Sequence, residues 1–284
     1  MKLLSWNIQW GRGIDGKVDL TRILDTIRQI GDFDIICLQE VAVNFPGLPG
    51  SSGEDQFKLL STGLNGYTAV YCPATDIPGE HDNHSRSLFG NAIFSRLPVG
   101  QVWRHLLPWA AESETPSMQR SLAEVVITTN FGSIRVMTTH LEYYSGSQRE
   151  LQIETIRHLH AEASHMSGRS MQVAEKGGPF ATFPRPAEAI LCGDLNFSAT
   201  ANERLQILKP FENHIPDFHD AHSVLRPNEP HTPTVGIHPV DFVDQPECYD
   251  HIFITDGLRN RLKNHGTDPF TQASDHQPVW IELS

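Results

Sequence analysis

The stretch that decides the fold is Ile190-Leu191-Cys192-Gly193-Asp194-Leu195-Asn196. It is a short apolar run that ends in a carboxylate and an amide, which is typical of a buried strand with polar groups at its end. Asp194 and Asn196 are two positions apart, so in an extended segment their side chains project to the same side. The stretch therefore predicts a core strand that delivers two polar side chains to one place.

The same arrangement recurs at other predicted strands. Functional side chains converge at strand ends in α/β sheets, so we expect these groups to meet. The polar residues are Asn7, Glu40, His140, Asp250, Asp275 and His276, which lie next to segments 3–6, 35–39, 136–139, 249–254 and 278–283.

Each of these side chains also fits a structural role when it is taken alone. Asn7 and the Gly193–Asn196 stretch fit turns, since Gly, Asp and Asn favour them. Glu40 fits a helix start or a loop, and His140 fits a hydrogen-bonded structural histidine. Asp250 and Asp275 fit caps, and His276 fits an exposed loop. One shared site, in contrast, accounts for all the positions together.

Helical patterns alternate with the strands along the chain. Leu20, Ile23, Leu24, Ile27 and Ile30 recur with the helical period. We predict further strands at 93–94, 122–128 and 134–139, and a helix at 149–165. Segments 45–55 and 167–186 are rich in residues that break regular structure. Strands with related chemistry lie on both sides of them, which predicts a single α/β domain over 1–284 with an irregular insertion at about 167–186.

The charge balance limits the partners. There are 22 basic and 34 acidic residues, a formal net charge of −12. Such a field repels polyanions, so we expect no stable non-specific binding of duplex nucleic acid. A small phosphate ester is less affected, because a bound cation reverses the local sign.

Cysteine usage and hydropathy indicate the compartment. Cys37, Cys72, Cys192 and Cys248 form no CxxC pair, which favours reduced core thiols. Residues 1–8 resemble a strand rather than a signal peptide, and no apolar run reaches the roughly 20 residues of a membrane span. We therefore expect a cytoplasmic protein without a transmembrane segment.

A set of short motifs resembles the endonuclease/exonuclease/phosphatase superfamily, which includes DNase-I-like nucleases, sphingomyelinases and inositol-phosphate 5-phosphatases. The motifs occur in the order of that family and span residues 5–279. The resemblance implies a DNase-I-like four-layer α/β/β/α sandwich of two mixed sheets, with the site at one edge. The matching stretches are Ser5–Ile8, Leu38–Val41, Gly90–Arg96, Thr139–Leu141, Gly193–Asn196, Tyr249–Phe253 and Ser274–Val279.

The resemblance also implies roles for the site residues. Glu40, Asn7 and Asp275 would bind Mg²⁺ or Mn²⁺, hard cations that prefer oxygen ligands. His276 would be the general base and Asp250 would fix its tautomer. Asp194 would orient water or hold a second cation, Asn196 would donate to a phosphate oxygen, and His140 would stabilise developing charge. The division of work between Asp194 and the Asp250–His276 pair stays open.

Substrate contacts are predicted around this core. Arg149 and Gln152 share a helix face that could approach the phosphate, and Arg120 precedes a strand. A surface salt bridge or a helix cap fits these residues equally well. Tyr143 and Tyr144 would stack on a base or line a headgroup pocket, while core packing is the alternative.

The function favoured by these patterns is a metal-dependent phosphodiesterase acting on a small or lipid-derived diester or on nucleic-acid ends. A DNA-repair-type endo- or exonuclease and a non-catalytic phosphate-binding module are the alternatives. Glu247-Cys248-Tyr249-Asp250 lacks the Trp-Cys-Asp-Arg stretch of the 5-phosphatase subgroup, which disfavours that subgroup. No Cys/His spacing is typical of structural zinc, and His81-Asp82-Asn83-His84 is predicted to be a polar surface loop.

Overall fold

Twelve strands form two layers in this computed structural model, which describes residues 1–80, 84–112, 114–167, 178, 183–240 and 242–284. In chain order the strands are β1 (Lys2–Asn7), β2 (Ile35–Val43), β3 (Thr68–Pro78), β4 (Arg86–Ser95), β5 (Val99–Leu106), β6 (Ser121–Thr129), β7 (Gly132–His140), β8 (Ala189–Asp194), β9 (Phe218–Asp220), β10 (Asp250–Thr255), β11 (Leu262–Thr267) and β12 (Val279–Leu283). The helices are α1 (Leu20–Ile30), α2 (Gln56–Gly63), α3 (Gly146–Ser167), α4 (Asn202–Leu208) and α5 (Ala221–Leu225), with 3-10 turns at Gln9–Gly11 and Asp256–Arg261.

The strands form two six-stranded mixed sheets. The first sheet has the order β11-β12-β1-β2-β4-β3, and the second has the order β5-β6-β7-β8-β10-β9. Each sheet contains one parallel pair, β1–β2 and β7–β8, and all its other pairs are antiparallel. A helix joins each parallel pair, since α1 lies between β1 and β2 and α3 lies between β7 and β8. Both parallel pairs are central, so their carboxyl ends lie away from the sheet edges.

Side-chain alternation creates three apolar layers. Leu3, Ile35 and Cys37 of the first sheet belong to one core with Val136 and Ile190 of the second. Intervening residues of the first sheet pack against α1 and α2, namely Leu4, Trp6, Ile36 and Leu38 against Ile23, Ile27 and Leu60. Met137, Leu191 and Phe253 of the second sheet pack similarly against Ile153 and Ile156 of α3 and Ile207 of α4. The predicted four-layer α/β/β/α sandwich is therefore confirmed.

The predicted helix at 20–30 forms for identifiable reasons. The Asp19 carboxylate accepts the Arg22 backbone N–H at 3.0 Å and caps the amino end of α1. Ile23, Leu24 and Ile27 are buried against the first sheet, while Arg28 and Asp25 pair in solvent. The helix ends at Ile30, before Gly31.

Four of the described strands were not predicted from the sequence, and all four lie at the sheet edges. β3, β5, β9 and β11 are the outermost strands of their sheets. Most of β3 and β5 is partly or fully exposed, so neither carries the continuous apolar run of a strand covered on both faces.

Parts of two predicted segments lie outside the described residues. These are residues 168–177 and 179–182 of the proposed insertion at 167–186, and His81, Asp82 and Asn83 of the predicted surface loop. Elsewhere, the four cysteines are buried and unpaired, with Cys37 and Cys192 between the sheets. No helix in the described part of the chain is long and apolar enough to cross a membrane.

Candidate active site

Strand ends from both sheets meet at one end of the sandwich. Asn7 ends β1, and His140 and Asp194 end the parallel strands β7 and β8. The antiparallel strand β10 begins at Asp250 at the same end, because Asp250 pairs with Asp194. These positions surround an open pocket of about 370 Å³, lined by Gln9, Trp10, Glu40, Phe89, Met118, Arg120, His140, Tyr143, Tyr144, Asp194, Asn196, Phe242, Asp275 and His276.

Unusual backbone geometry turns Glu40 into this pocket. The pairing of β2 with β4 shifts register between Leu38 and Val41, and Glu40 has a φ of 60°. This left-handed conformation is uncommon for a residue with a side chain and costs free energy, so the surrounding sheet must impose it. Asn196, which follows β8, is also left-handed, with a φ of 52°. Residues at the rim thus depart from regular strand geometry where their side chains enter the pocket.

Gly193 makes the approach of β7 to β8 possible. Its φ is 143°, and an added Cβ would lie 1.8 Å from the Thr139 carbonyl oxygen. Glycine is the residue that tolerates both this conformation and this contact. It therefore allows His140 and Asp194 to lie side by side.

Asn7 joins the carboxylates of the two sheets. Its Nδ2 donates to Glu40 Oε1 at 3.0 Å and to Asp194 Oδ2 at 2.9 Å. Its Oδ1 accepts the Gln9 backbone N–H at 3.0 Å. In this orientation Asn7 positions two carboxylates, whereas the predicted role as a metal ligand requires the amide to turn its oxygen toward them.

His276 and Asp250 form a buried pair. Nδ1 of His276 lies 2.8 Å from Asp250 Oδ2, and its Nε2 lies 3.5 Å from Asp194 Oδ2. The Trp6 indole N–H donates to the His276 carbonyl at 2.9 Å and fixes the backbone. A ring with one nitrogen held by a carboxylate and the other facing the pocket has the geometry of an oriented base.

His140 lies between the same carboxylates. Its Nε2 is 3.4 Å from Asp194 Oδ2 and its Nδ1 is 3.7 Å from Glu40 Oε1. Burial, assisted by the nearby Arg120 charge, lowers the pKa of His140 to about 3. The ring is therefore neutral at neutral pH and can donate one N–H.

Negative charge that no lysine or arginine neutralises is the main electrostatic feature of the described site. Burial, followed by repulsion from Asp275, raises the pKa of Glu40 to about 7. Burial also raises the pKa of Asp275, whose Oδ2 accepts the Gln9 side-chain N–H at 2.5 Å. Burial lowers the pKa of His276, but attraction to Asp250 and to the other carboxylates outweighs it and places that pKa well above its usual value.

This charge distribution fits a divalent cation. Among the described residues, no Lys or Arg forms an ion pair with Glu40, Asp194 or Asp275. Clustered carboxylate oxygens that no lysine or arginine neutralises are the donor set that Mg²⁺ and Mn²⁺ prefer. Donor atoms of Asp194, Asp250 and His276 also lie within 4.8 Å of one another.

Of the predicted substrate residues, Arg120, Tyr143 and Tyr144 line the pocket. Arg149 does not, because its guanidinium is held by Glu203 and by the carbonyls of Glu142 and Tyr143. The described hydrogen bonds of Arg149 therefore favour a structural role over the predicted substrate contact. Its pair with Glu203 joins α3 to α4. Gln152 is also structural, since its side-chain oxygen accepts the Glu142 N–H.

Sequence analysis missed five pocket residues. Gln9 had a local signal, since it follows the Ser5–Ile8 motif directly. The others, Trp10, Phe89, Met118 and Phe242, form an apolar rim. Phe242 lies nearly parallel to the His276 ring, with centroids 6.3 Å apart and an interplanar angle of 16°, and its carbonyl accepts the Tyr143 hydroxyl. Nothing in the local sequence around Phe242 predicts this position.

Comparisons with known proteins agree with this geometry. The sequence profile described as "Endonuclease/Exonuclease/phosphatase family" matches residues 4–276. No curated protein sequence matches the chain.

Solved structures share the fold at low identity. An endonuclease/exonuclease/phosphatase from Beutenbergia cavernae has a TM-score of 0.71 and 23% identity, with 100% of this chain and 72% of that chain covered. The human Nocturnin catalytic domain with bound sulfate has a TM-score of 0.63 and 18% identity, covering 100% and 93%. A mannosyl-6-phosphatase from Bacteroides thetaiotaomicron has a TM-score of 0.65 and 17% identity, covering 100% and 99%.

Proposed function

The chain belongs to the endonuclease/exonuclease/phosphatase family, and from that premise we propose that it is a divalent-metal-dependent phosphodiesterase. Members of this family are metal-dependent phosphoesterases and nucleases. One observation carries the proposal for this chain: the buried Asp250–His276 pair faces a group of carboxylates that the protein does not neutralise. We also propose that residues 1–284 form a single domain, because the family match runs almost from end to end.

Glu40 and Asp275 would hold the cation. Asn7 would position the carboxylates of Glu40 and Asp194 by donating a hydrogen bond to each. When bound, Mg²⁺ or Mn²⁺ polarises a phosphate oxygen and offsets negative charge on the leaving oxygen. The raised pKa of Glu40 supports this assignment, since its burial beside Asp275 disfavours the charged carboxylate until a cation offsets the repulsion.

His276 would take a proton from the attacking water at Nε2. Asp250 holds Nδ1, which fixes the tautomer and stabilises the imidazolium that forms. Neutralisation of Glu40 and Asp275 by a cation weakens the attraction that keeps His276 protonated, and this favours the neutral base. Asp194 Oδ2, at 3.5 Å from Nε2, would orient the same water.

Two further groups would stabilise charge on the phosphate. His140 is neutral and can donate one N–H toward the developing charge. Asn196 donates one of its amide hydrogens to the Leu141 carbonyl at 2.9 Å, which leaves the other for a phosphate oxygen. Both side chains lie at the pocket wall.

The pocket supports a substrate with one phosphate and an organic group. Arg120 is the single Arg or Lys among the pocket-lining residues of the described chain, and its Nε lies 3.4 Å from Glu142. Trp10, Phe89, Tyr144 and Phe242 supply aromatic surface around it. This combination favours a small or lipid-derived diester, and it also suits the terminal nucleotide of a nucleic acid. An extended polynucleotide would need the basic groove that these residues do not provide.

Hydrolysis of bis-p-nitrophenyl phosphate with Mg²⁺ or Mn²⁺ tests the proposal. We expect metal-dependent turnover that EDTA abolishes and added metal restores. A panel of phosphomonoesters, alkyl diesters and short oligonucleotides would then identify the substrate class. Binding of phosphate without turnover of any ester would instead support a non-catalytic module, and preference for oligonucleotide ends would support the nuclease.

A further inference from the structure

A second cluster of metal-ligating side chains lies next to the candidate active site. This histidine cluster consists of Asp220, His222, His231, Cys248, His251 and His265, which line a cavity of about 10 Å³. All except His231 are buried, and the side chain of His231 is 13% exposed. A cavity of this size holds about one water molecule or one ion.

The donor atoms of the cluster converge. Ligand atoms of Asp220, His231 and His251 lie within 4.8 Å of one another. His222 packs its ring on His231, with centroids 4.2 Å apart, and its buried Nδ1 has no hydrogen-bond partner among the described residues. A buried polar atom without a partner is uncommon and calls for a ligand or a water. Imidazole nitrogens and a carboxylate oxygen are typical ligands of zinc.

The neighbouring charges are compatible with a cation. Asp220 Oδ2 accepts from Arg204 Nε at 2.9 Å, and its Oδ1 accepts the Ser223 backbone N–H at 3.0 Å. Asp220 Oδ2 also lies 2.8 Å from His231 Nε2, so a metal would replace this direct contact and use one of the about four lone-pair sites of the carboxylate. Hydrogen bonds of this kind commonly orient a metal ligand.

We propose that Asp220, His222, His231 and His251 bind one zinc ion in this cavity, separately from the catalytic metal. Ligand atoms of a tetrahedral zinc site are about 3.4 Å apart, given bonds of about 2.0–2.1 Å. Asp220, His231 and His251 would close from within 4.8 Å to that spacing, and His222, which lies outside this group, would turn its unpartnered Nδ1 toward them. Four protein ligands make a closed site, which is typical of structural rather than catalytic zinc.

Such a zinc ion would hold Asp250 in place. Asp220 ends β9, which pairs with β10 opposite Phe253, and His251 directly follows Asp250. The ion would therefore tie β9 and the His231 loop to the start of β10. Because Asp250 orients His276, the site would act as a positioning element for the active site.

Zinc retention, measured by mass spectrometry of the metal after gel filtration, tests this proposal without reference to activity. The protein is first stripped with a chelating resin, and Zn²⁺ is then supplied at two equivalents. To remove the catalytic site as a competitor, all variants carry Glu40→Gln and Asp275→Asn. We expect one retained zinc per chain in this background. Adding His222→Ala and His231→Ala should remove it, whereas adding His219→Ala should not, because His219 contacts Asp256 outside the cluster.

Cobalt substitution provides a second readout that does not depend on those variants folding. Co²⁺ bound to the background protein should give the intense visible absorption of a tetrahedral site. A cavity that holds only water would retain no metal, and the proposal would be wrong. It would also be wrong if zinc remained after His222→Ala and His231→Ala in a variant whose circular dichroism matches the background.

Discussion

Two glutamates, the partly buried Glu40 on β2 and the fully buried Glu124 on β6, have opposite electrostatic environments. Glu124 is contacted by His105 at 2.9 Å and by two nitrogens of Arg185 at 3.0 Å each. Burial raises its pKa, but these partners and Arg135 outweigh that effect and lower the pKa to about 2. Glu40 accepts from the uncharged Asn7 amide at 3.0 Å and lies 3.7 Å from His140, a ring that burial keeps neutral, and the pKa of Glu40 rises to about 7. Arginines thus neutralise Glu124, whereas Glu40, the proposed cation ligand, has no Lys or Arg partner among the described residues.

These two carboxylates differ in the partners that surround them. A carboxylate paired with the protein's own arginines depends on those arginines for its stability. A carboxylate among other carboxylates destabilises the fold and is retained where a ligand restores the charge balance. Variants in the pocket around Glu40 should therefore lose activity, whereas variants around Glu124 should lose stability.

The largest expected effect is on turnover. His276→Gln removes the proposed base, and we expect kcat to fall by about 10²- to 10⁴-fold, the range typical of general-base catalysis. His219→Gln, a histidine paired with Asp256 outside the pocket, is the matched control and should retain activity. Steady-state kinetics on bis-p-nitrophenyl phosphate measures both. Equal kcat in the two variants would remove His276 from the chemistry.

A smaller but still large effect is expected on stability at Glu124. Glu124→Gln leaves Arg135 and Arg185 without their buried counter-charge, which typically costs about 3–5 kcal/mol. Denaturant unfolding should register this loss, while kcat of the folded variant should stay close to that of the parent chain. A change of less than about 1 kcal/mol would show that the cluster is not the structural ion network inferred from its contacts.

The stability difference between the parent chain and Glu124→Gln should depend on pH, and this dependence sharpens the comparison. A carboxyl whose folded pKa is about 2 contributes stability that is present above its unfolded value near 4.5 and is lost as pH falls through the folded value. The free-energy difference between the parent chain and Glu124→Gln should therefore be largest near pH 7 and shrink between about pH 4.5 and 2. Urea unfolding at several pH values measures it. A difference that grew on acidification would contradict the lowered pKa of Glu124.

The smallest effect is expected at Arg149. Its partner Glu203 is partly exposed, so Arg149→Ala should lower stability by about 1 kcal/mol or less and leave KM within about twofold. Arg120→Lys changes a residue in the pocket wall, and its KM is measured beside that of Arg149→Ala. A tenfold rise in KM for Arg149→Ala would restore the predicted substrate contact that the hydrogen bonds of Arg149 argue against.

Much of the candidate site could be predicted because its polar groups lie at the ends of strongly apolar strands. The run before Asp194 is buried throughout, so local sequence is sufficient to identify both the strand and its end. The edge strands β3 and β5 gave no such signal, since most of their residues are partly or fully exposed. Arg149 illustrates the other limit: helical spacing placed it on one face with Gln152, but the position of Glu203 on α4 decided its partner.

The aromatic rim and the histidine cluster could not be predicted for a different reason. Phe242 lies in a segment held by backbone bonds of Val235 and Thr234 to Glu247 and Gln277. The position of its ring beside His276 is thus a property of tertiary packing. The cluster gathers ligand types from positions spread between 220 and 265, so no spacing motif marks it.

Titration of the protein with Mn²⁺ tests the central claim most directly. The parent chain and Glu124→Gln should bind one Mn²⁺ with similar affinity, and Glu40→Gln should bind it at least about tenfold more weakly, as expected when a metal site loses an oxygen ligand. Calorimetry at pH 7 with folded protein measures all three. Binding of Mn²⁺ by Glu40→Gln as tightly as by the parent chain would contradict a cation site formed by residues dispersed from Asn7 to His276.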